Sequence, residues 1–134
     1  MSAITLADAR TIIDAAERRA DEIGQPMNVA VVDGGGNLVA HVRQDGAWLG
    51  SVDISINKAW TSRAFDIQTK DLGDNAQPTE QFFGIHTTNR GKVTIFAGGI
   101  PLWRDGVVVG GIGVSGGSGD QDQTVAEAGA SAIT

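Results

Sequence analysis

The sequence predicts one α+β domain in which helices pack on an antiparallel sheet. Two hairpin signals support this prediction: a glycine-rich turn at 34–36 and the Asp105-Gly106 pair, each placed between two apolar runs. Hairpins join antiparallel neighbours, and predicted helices precede, separate and follow these strands. A doubly wound parallel sheet is therefore excluded. The length of 134 residues fits one domain and is too short for two ordinary ones.

Simple patterns predict the first helix and the first hairpin. Thr5 begins a capping-box pattern with Asp8, and apolar residues then recur at helical spacing as far as Ile23, where Gly-Gln-Pro ends the run. The valine-rich run 28–33 predicts a well-buried strand, and 38–43 predicts the strand that returns beside it.

The second predicted helix, roughly Leu49 to Phe65, has apolar residues on two sides. Lys58 lies inside the second apolar stripe, close in the sequence to Thr61. One stripe is expected to pack on the sheet of the same chain, and the other on something else, such as a partner subunit. The helix therefore predicts a homo-oligomer.

The second half of the chain is predicted to complete the sheet. Residues 66–91 are polar and rich in turn residues, with one helical turn expected in TKDLGDNA. Three more strands are predicted at 92–98, 99–104 and 107–115. An alanine-rich closing helix follows at 123–133, which Asp120 or Asp122 is placed to cap. The predicted sheet thus has five strands.

Composition and charge exclude several classes of function. A formal charge of −6 and a pI near 4.6 argue against a nucleic-acid partner, which needs a basic surface. The chain has no cysteine, so disulfides and thiolate metal sites are excluded. No apolar run approaches the roughly 20 residues of a membrane span. Because the first residues do not have the pattern of a signal peptide, we expect a cytoplasmic protein.

Gly111, Gly113 and Gly116 spell G-x-G-x-x-G, the phosphate-binding turn of dinucleotide-binding folds. That turn belongs in a βαβ unit, and here only one helical pattern follows it. We therefore predict no nucleotide site. Two interpretations are open: the glycines let the strand approach another backbone closely, or the amides before the closing helix hold a carboxylate, with Ser115 on the floor of a pocket.

Several motifs occur together and in order. They are AVVD-x-x-G-x-L-V-A, R-x-D-G-A and K-A-x-T in the first half, then GG-x-P, a D-G hairpin, G-x-G-V-S-G and Q-D-x-x-V-A in the second. From about Asn28 to Ile133 the chain resembles the GlcG/HbpS-like family of haem-binding and haem-degrading domains. It also resembles the C-terminal domain of PduO-type corrinoid adenosyltransferases. The resemblance implies one domain over residues 1–134, a profilin-like sandwich with a five-stranded antiparallel sheet and helices on both faces, homo-oligomers, and haem as the cofactor of some members.

Haem needs an apolar slot, an axial ligand and cations for its propionates. His41 and His86 are the two histidines, so they are the candidate metal ligands, although each also fits an ordinary surface or interface position. Trp60 and Trp103 can wall a flat ligand or belong to the core. The candidate residues for binding a tetrapyrrole or a small carboxylate in an interfacial pocket are Arg43, Lys58, Thr61, Gly99, Gly113, Ser115 and Gly116.

Lys58 is the most informative charge, and two interpretations are open for it. It can meet a ligand anion at a subunit seam, or it can form a salt bridge with Asp53 or another carboxylate. Arg43 and Asp45 flank a turn and can pair with each other.

The leading interpretation of function is a domain that binds a small anionic or tetrapyrrole ligand. An alternative is a catabolic enzyme that uses acid–base chemistry on a carboxylated substrate, as an isomerase, hydratase or decarboxylase. Its catalytic groups would be Lys58, His86, Asp122 and Glu127. A third interpretation is an assembly protein without a ligand. The sequence contains no pattern typical of a Ser-His-Asp catalytic triad, no HExxH motif and no residues at the spacing of zinc ligands.

Overall fold

A computed structural model describes residues 3–133 of the chain. Its helices and strands follow in the order α1 Leu6–Ile23, β1 Asn28–Asp33, β2 Leu38–Arg43, α2 Gly50–Phe65, α3 Thr69–Asp74, β3 Gly99–Arg104, β4 Val107–Ser115 and α4 Gly119–Ala130. Single 3₁₀ turns occur at Ile85–Thr87, Asn89–Gly91 and Ser131–Ile133. The bounds of these strands agree with those predicted from the sequence. Within the described range, no helix combines the length and the apolar composition that crossing a membrane requires.

The strands form one antiparallel sheet in the order β2-β1-β4-β3. Helix α2 packs across one face, mainly on β4, β1 and β3, and hardly touches the edge strand β2. Helices α1 and α4 pack against each other and close the other face over the main apolar core. The prediction of an α+β fold with helices on both faces of an antiparallel sheet is confirmed.

The predicted strand at 92–98 is wrong, because the sheet that the structure describes has four strands and not five. Side chains of the helices hold this segment. The Thr94 N–H donates to the Thr61 hydroxyl oxygen at 3.0 Å, and that hydroxyl donates to the Lys92 carbonyl at 3.2 Å. At the other end Gly98, with a φ of +121°, donates its N–H to a glutamine side chain of α4 at 3.2 Å. The segment is therefore held mainly by side chains of the helices, and it meets the sheet only at its end, where the Val114 N–H of β4 donates to the Gly98 carbonyl at 2.9 Å.

The first and last helices each begin with a capping box. The predicted box at Thr5 is present. At α4 the cap is Ser118, which is paired reciprocally with Gln121, so the prediction that Asp120 or Asp122 caps this helix is wrong. Asp120 and Asp122 lie inside the first turn, and the carboxylate of Asp122 is bonded elsewhere.

Both hairpin turns form at the predicted positions. Asp105 and Gly106 have positive φ angles of 52° and 77°, as a two-residue type I′ turn requires. In the first hairpin, the Asp33 carboxylate accepts the N–H groups of Gly35 and Asn37 at 3.0 Å each.

The glycines of β4 let α2 lie directly on the sheet. A Cβ at Gly113 would overlap the Ser55 carbonyl oxygen, and one at Gly111 would overlap another carbonyl oxygen of α2. At Gly116, where φ is +153°, a Cβ would come within 2.7 Å of the Pro26 carbonyl oxygen. The structure thus shows the first interpretation of the G-x-G-x-x-G pattern, which is close approach of another backbone.

Candidate functional site

Lys58 lies at the centre of a buried polar cluster, and its side chain has no exposed surface. The ammonium group donates to the Asp122 carboxylate at 2.9 Å and to the Val114 carbonyl at 2.8 Å. It also lies 4.8 Å from the centre of the Phe96 ring, a contact that the sequence did not indicate. Of the two interpretations of Lys58, the structure shows the salt bridge, with Asp122 as the partner. Asp53 is bonded to an asparagine of α2 instead.

Asp122 joins Lys58 to the loop that precedes α4. Its second carboxylate oxygen accepts the Gly117 N–H at 2.9 Å, and the Gly116 N–H also stabilises the carboxylate. The amides before this helix therefore hold a carboxylate, as the second interpretation of the glycine motif supposed, but the carboxylate belongs to the chain itself. Burial lowers the pKa of Lys58 and raises the pKa of Asp122, and each charge partly offsets this effect on its partner.

Most of the predicted ligand-binding residues lie around this ion pair, between α2 and the sheet. The Ser115 hydroxyl donates to the Ser51 hydroxyl at 3.0 Å, and the Gly99 N–H donates to the Thr69 hydroxyl at 2.8 Å. The predicted residues brought together in this way are Lys58, Thr61, Gly99, Gly113, Ser115 and Gly116. In the described structure these residues make hydrogen bonds and packing contacts with other residues of the same chain.

His86 and Glu127 lie apart from the ion pair. His86 is in a short 3₁₀ turn, with its ring edge-on to Phe83 and 5.9 Å between the ring centres. Its Nδ1 is buried and has no hydrogen-bond partner among the described residues. Glu127 is exposed on α4. No hydrogen bond within residues 3–133 links either side chain to Lys58 or Asp122, so the four groups proposed for acid–base chemistry are divided among three places.

His41 lies on the edge strand β2, opposite Ala30 of β1. Residues directly paired in antiparallel strands point to the same face, so His41 faces the α2 side of the sheet, where Ala30 packs. Its Nε2 is buried and, in the part of the chain that is described, has no hydrogen-bond partner. Burial lowers the pKa of His41, which favours the neutral imidazole.

Helix α2 leaves the edge strand β2 almost uncovered, so side chains of β2 and of α2 border a surface on this face of the sheet. The β2 side holds His41 and Leu38, and Leu38 is 49% exposed. The α2 side holds Ile56, which packs on the buried side chains of β1, and Trp60, which lies beside the turn of the first hairpin. We call the surface formed by Leu38, His41, Ile56 and Trp60 the β2–α2 groove.

Two cations lie at the Trp60 end of this groove, next to a cleft of about 290 Å³ between the first hairpin turn and α2. The Lys92 ammonium lies 4.1 Å from the centre of the Trp60 ring. Arg63 lines the cleft, where it donates to the Gly34 carbonyl and to the Asp66 carboxylate at 2.7 Å each. Asp66 balances the charge of Arg63, so Lys92 is the cation that this end offers to an anion.

Comparison with known proteins identifies the family. The chain matches the family described as "Haem degrading protein HbpS-like" over residues 4–131. It belongs to the HbpS-like family.

Named relatives of this HbpS-like domain include an uncharacterized 15.0 kDa protein from the dhaT–dhaS intergenic region of Citrobacter freundii. It is 41% identical over 127 residues, which are 95% of this chain and 89% of that protein. The corrinoid adenosyltransferase PduO of Salmonella typhimurium is 37% identical over 131 residues, which are 98% of this chain but only 39% of PduO. The crystal structure of a PduOC–haem complex has 37% identity and a TM-score of 0.95, covering 99% of this chain and 96% of that chain. The resemblance noted in the sequence is confirmed.

The HbpS-like domain also has a larger cleft, of about 580 Å³, between the end of α1 and the end of β2. Arg43 and Asp45 both line it, but they form no ion pair with each other. Arg43, which was grouped with Lys58 as a ligand-binding residue, therefore lies at a separate place on the surface.

Proposed function

We propose that this HbpS-like domain binds haem or a related tetrapyrrole. The observation that carries the proposal is that His41 and His86 each keep a buried ring nitrogen without a hydrogen-bond partner among the described residues. A buried nitrogen left without a partner costs about 1–3 kcal/mol, and coordination to iron removes that cost.

The residues fit haem better than they fit a bare metal ion. Across residues 3–133, no group of three or more His, Cys, Asp or Glu side chains is placed to hold an ion. Haem supplies four nitrogen ligands of its own, so one protein histidine is enough to hold its iron. When bound, haem would supply an iron centre that takes a further small ligand on its open face.

The relatives support the same proposal. The PduOC structure is a haem complex, and the family description refers to haem degradation. A shared fold does not by itself transfer a ligand, because function depends on the residues of the site. The two histidines of this chain are therefore the groups to test.

Hemin added to the purified protein is expected to give a sharpened Soret band that saturates as the titration proceeds, because a histidine nitrogen replaces solvent at the iron. The measurement is a visible-absorption titration. The matched control is the double variant His41→Ala/His86→Ala, which has no imidazole to offer and is expected to leave the spectrum of free hemin. A wild-type protein that gives the free-hemin spectrum at every ratio would contradict the proposal.

We also propose that the domain is a homo-oligomer with its ligand pocket near a subunit interface. Large apolar side chains are exposed on the described chain, among them Leu49 at 74%, Trp48 at 62% and Phe83 at 59%. Such exposure is typical of surfaces that a partner covers. Light scattering at micromolar concentration is expected to give a mass well above the 13.9 kDa of one chain. A mass equal to that of one chain would show that these side chains remain exposed to water.

Haem degradation and acid–base catalysis are finer hypotheses that stay predictions. Degradation would be seen as loss of the Soret band and release of iron when the hemin complex is incubated with a reductant and oxygen. For acid–base catalysis at Lys58, the carboxylate of a substrate would have to displace Asp122, which lies 2.9 Å from the ammonium in a fully buried pair.

A further inference from the structure

Resting on the proposed function, we infer that the tetrapyrrole lies in the β2–α2 groove, with His41 as the protein ligand of its iron. The groove combines three features that haem requires: an imidazole without a hydrogen-bond partner at Nε2, apolar walls, and a cation at one end.

His41 is better surrounded for this role than His86. It lies on a strand that is hydrogen-bonded to β1 along its length, so the backbone fixes the position of the ring. His86 lies in a single 3₁₀ turn that is followed by the exposed polar residues 87–90. A macrocycle centred on His86 would cover the exposed Phe83 together with polar side chains, whereas one centred on His41 would cover Leu38, Ile56 and Trp60.

The imidazole of His41 would have to turn about its Cβ–Cγ bond to present Nε2 to the groove, because Nε2 is buried in the structure. The His41 residue as a whole is half-buried. A half-turn exchanges the nitrogen and carbon positions of the ring edges and leaves the strand unchanged. The turned ring would offer Nε2 to an iron in the groove.

The walls of the groove fit a flat apolar ring system. Leu38 is about half exposed although it is a large apolar residue, so a bound macrocycle would remove its side chain from water. Ile56 forms the opposite wall, and the indole of Trp60 provides an aromatic surface beside the hairpin turn.

Charge sets the orientation of the ligand in the groove. The chain carries a net charge of −6, so its surface as a whole repels the two propionates of haem. The Trp60 end is an exception, because the Lys92 ammonium lies there, whereas the charge of Arg63 is balanced by Asp66. The propionates are therefore placed at the Trp60 end, near the Lys92 ammonium.

Hemin titrations of four variants test the inference. His41→Ala is expected to weaken hemin binding by about tenfold or more and to remove the spectrum of a histidine-bound iron. His86→Ala, which removes the other candidate ligand, is expected to weaken binding less than His41→Ala does. Leu38→Glu places a carboxylate at the mouth of the groove and is expected to weaken binding by a similar factor. Val107→Glu is its matched control, because Val107 is 47% exposed on another strand and Leu38 is 49% exposed.

The outcomes separate the inference from the function on which it rests. A wild-type protein that does not bind hemin overturns the proposed function. Wild-type binding that is kept in His41→Ala and lost in His86→Ala overturns the groove and leaves the function standing. If thermal unfolding shows that His41→Ala is not folded, the test rests on Leu38→Glu and its control Val107→Glu. Equal hemin affinity of these two variants overturns the inference.

Discussion

Replacing Lys58 by methionine is expected to lower the free energy of unfolding by about 3–5 kcal/mol. The substitution keeps most of the apolar volume of the side chain but removes the charge that balances Asp122, whose side chain is only 4% exposed. Asp122 would keep the Gly117 N–H and lose the ammonium at 2.9 Å. A buried carboxylate without its counter-charge is costly, because water cannot reach it. Urea unfolding followed by circular dichroism measures the loss.

Two control variants show whether this loss belongs to the buried pair. Arg19→Met removes one member of the Arg19–Glu22 pair, whose side chains are 44% and 64% exposed, so it is expected to cost at most about 1 kcal/mol. The double variant Lys58→Met/Asp122→Leu is expected to recover much of the stability, since no buried charge is left unbalanced. Equal losses from Lys58→Met and Arg19→Met would show that the buried pair contributes no more than a surface pair.

Gly113→Ala is expected to destabilise the domain by about 3 kcal/mol, the upper end of the usual cost of overpacking. The new Cβ would overlap the Ser55 carbonyl oxygen and would lie 2.5 Å from the Ala59 backbone nitrogen, so α2 would have to move away from the sheet. Backbone atoms of a helix cannot yield as the end of a flexible side chain can. The measurement is the same urea titration, together with near-ultraviolet circular dichroism to report on the tryptophan environments.

Gly50→Ala is the matched control for this substitution. Gly50 begins α2, and a Cβ there meets no atom within 4 Å. This change is expected to be neutral or to stabilise by up to about 1 kcal/mol, because alanine loses less backbone freedom on folding. If Gly113→Ala and Gly50→Ala have the same stability, the contact between α2 and β4 is looser than the structure shows.

The sequence predicted the observed strands because their signals are local. Asp105-Gly106 strongly favours a two-residue type I′ turn, and the strands on either side of it follow from that turn. The error at 92–98 has a tertiary cause. Its residues favour a strand, but Thr61 on α2 binds the backbone of this segment from both sides, and no property of the segment itself shows this.

The candidate site could be predicted only in part. Lys58 was recognisable because a lysine inside an apolar stripe needs a partner. That its partner is Asp122 could not be deduced, because the two residues are 64 positions apart and are brought together by the crossing of α2 over β4. The groove beside His41 was also hidden. It exists because α2 leaves β2 uncovered, which depends on the order of strands in the sheet and not on the pattern within any strand.

The contact of Asp122 with the amides of Gly116 and Gly117 has a consequence for which molecules can bind at the start of α4. The Asp122 carboxylate binds the same amide and ammonium groups that a dissolved carboxylate would need, so the two compete for them. A carboxylate from solution competes at its bulk concentration, whereas the tethered one competes at an effective molarity that rigid attachment raises far above the millimolar range. A small metabolite acid would thus have to displace Asp122 in order to reach Lys58, and the amides of the glycine-rich loop are already bonded to a carboxylate of the chain itself.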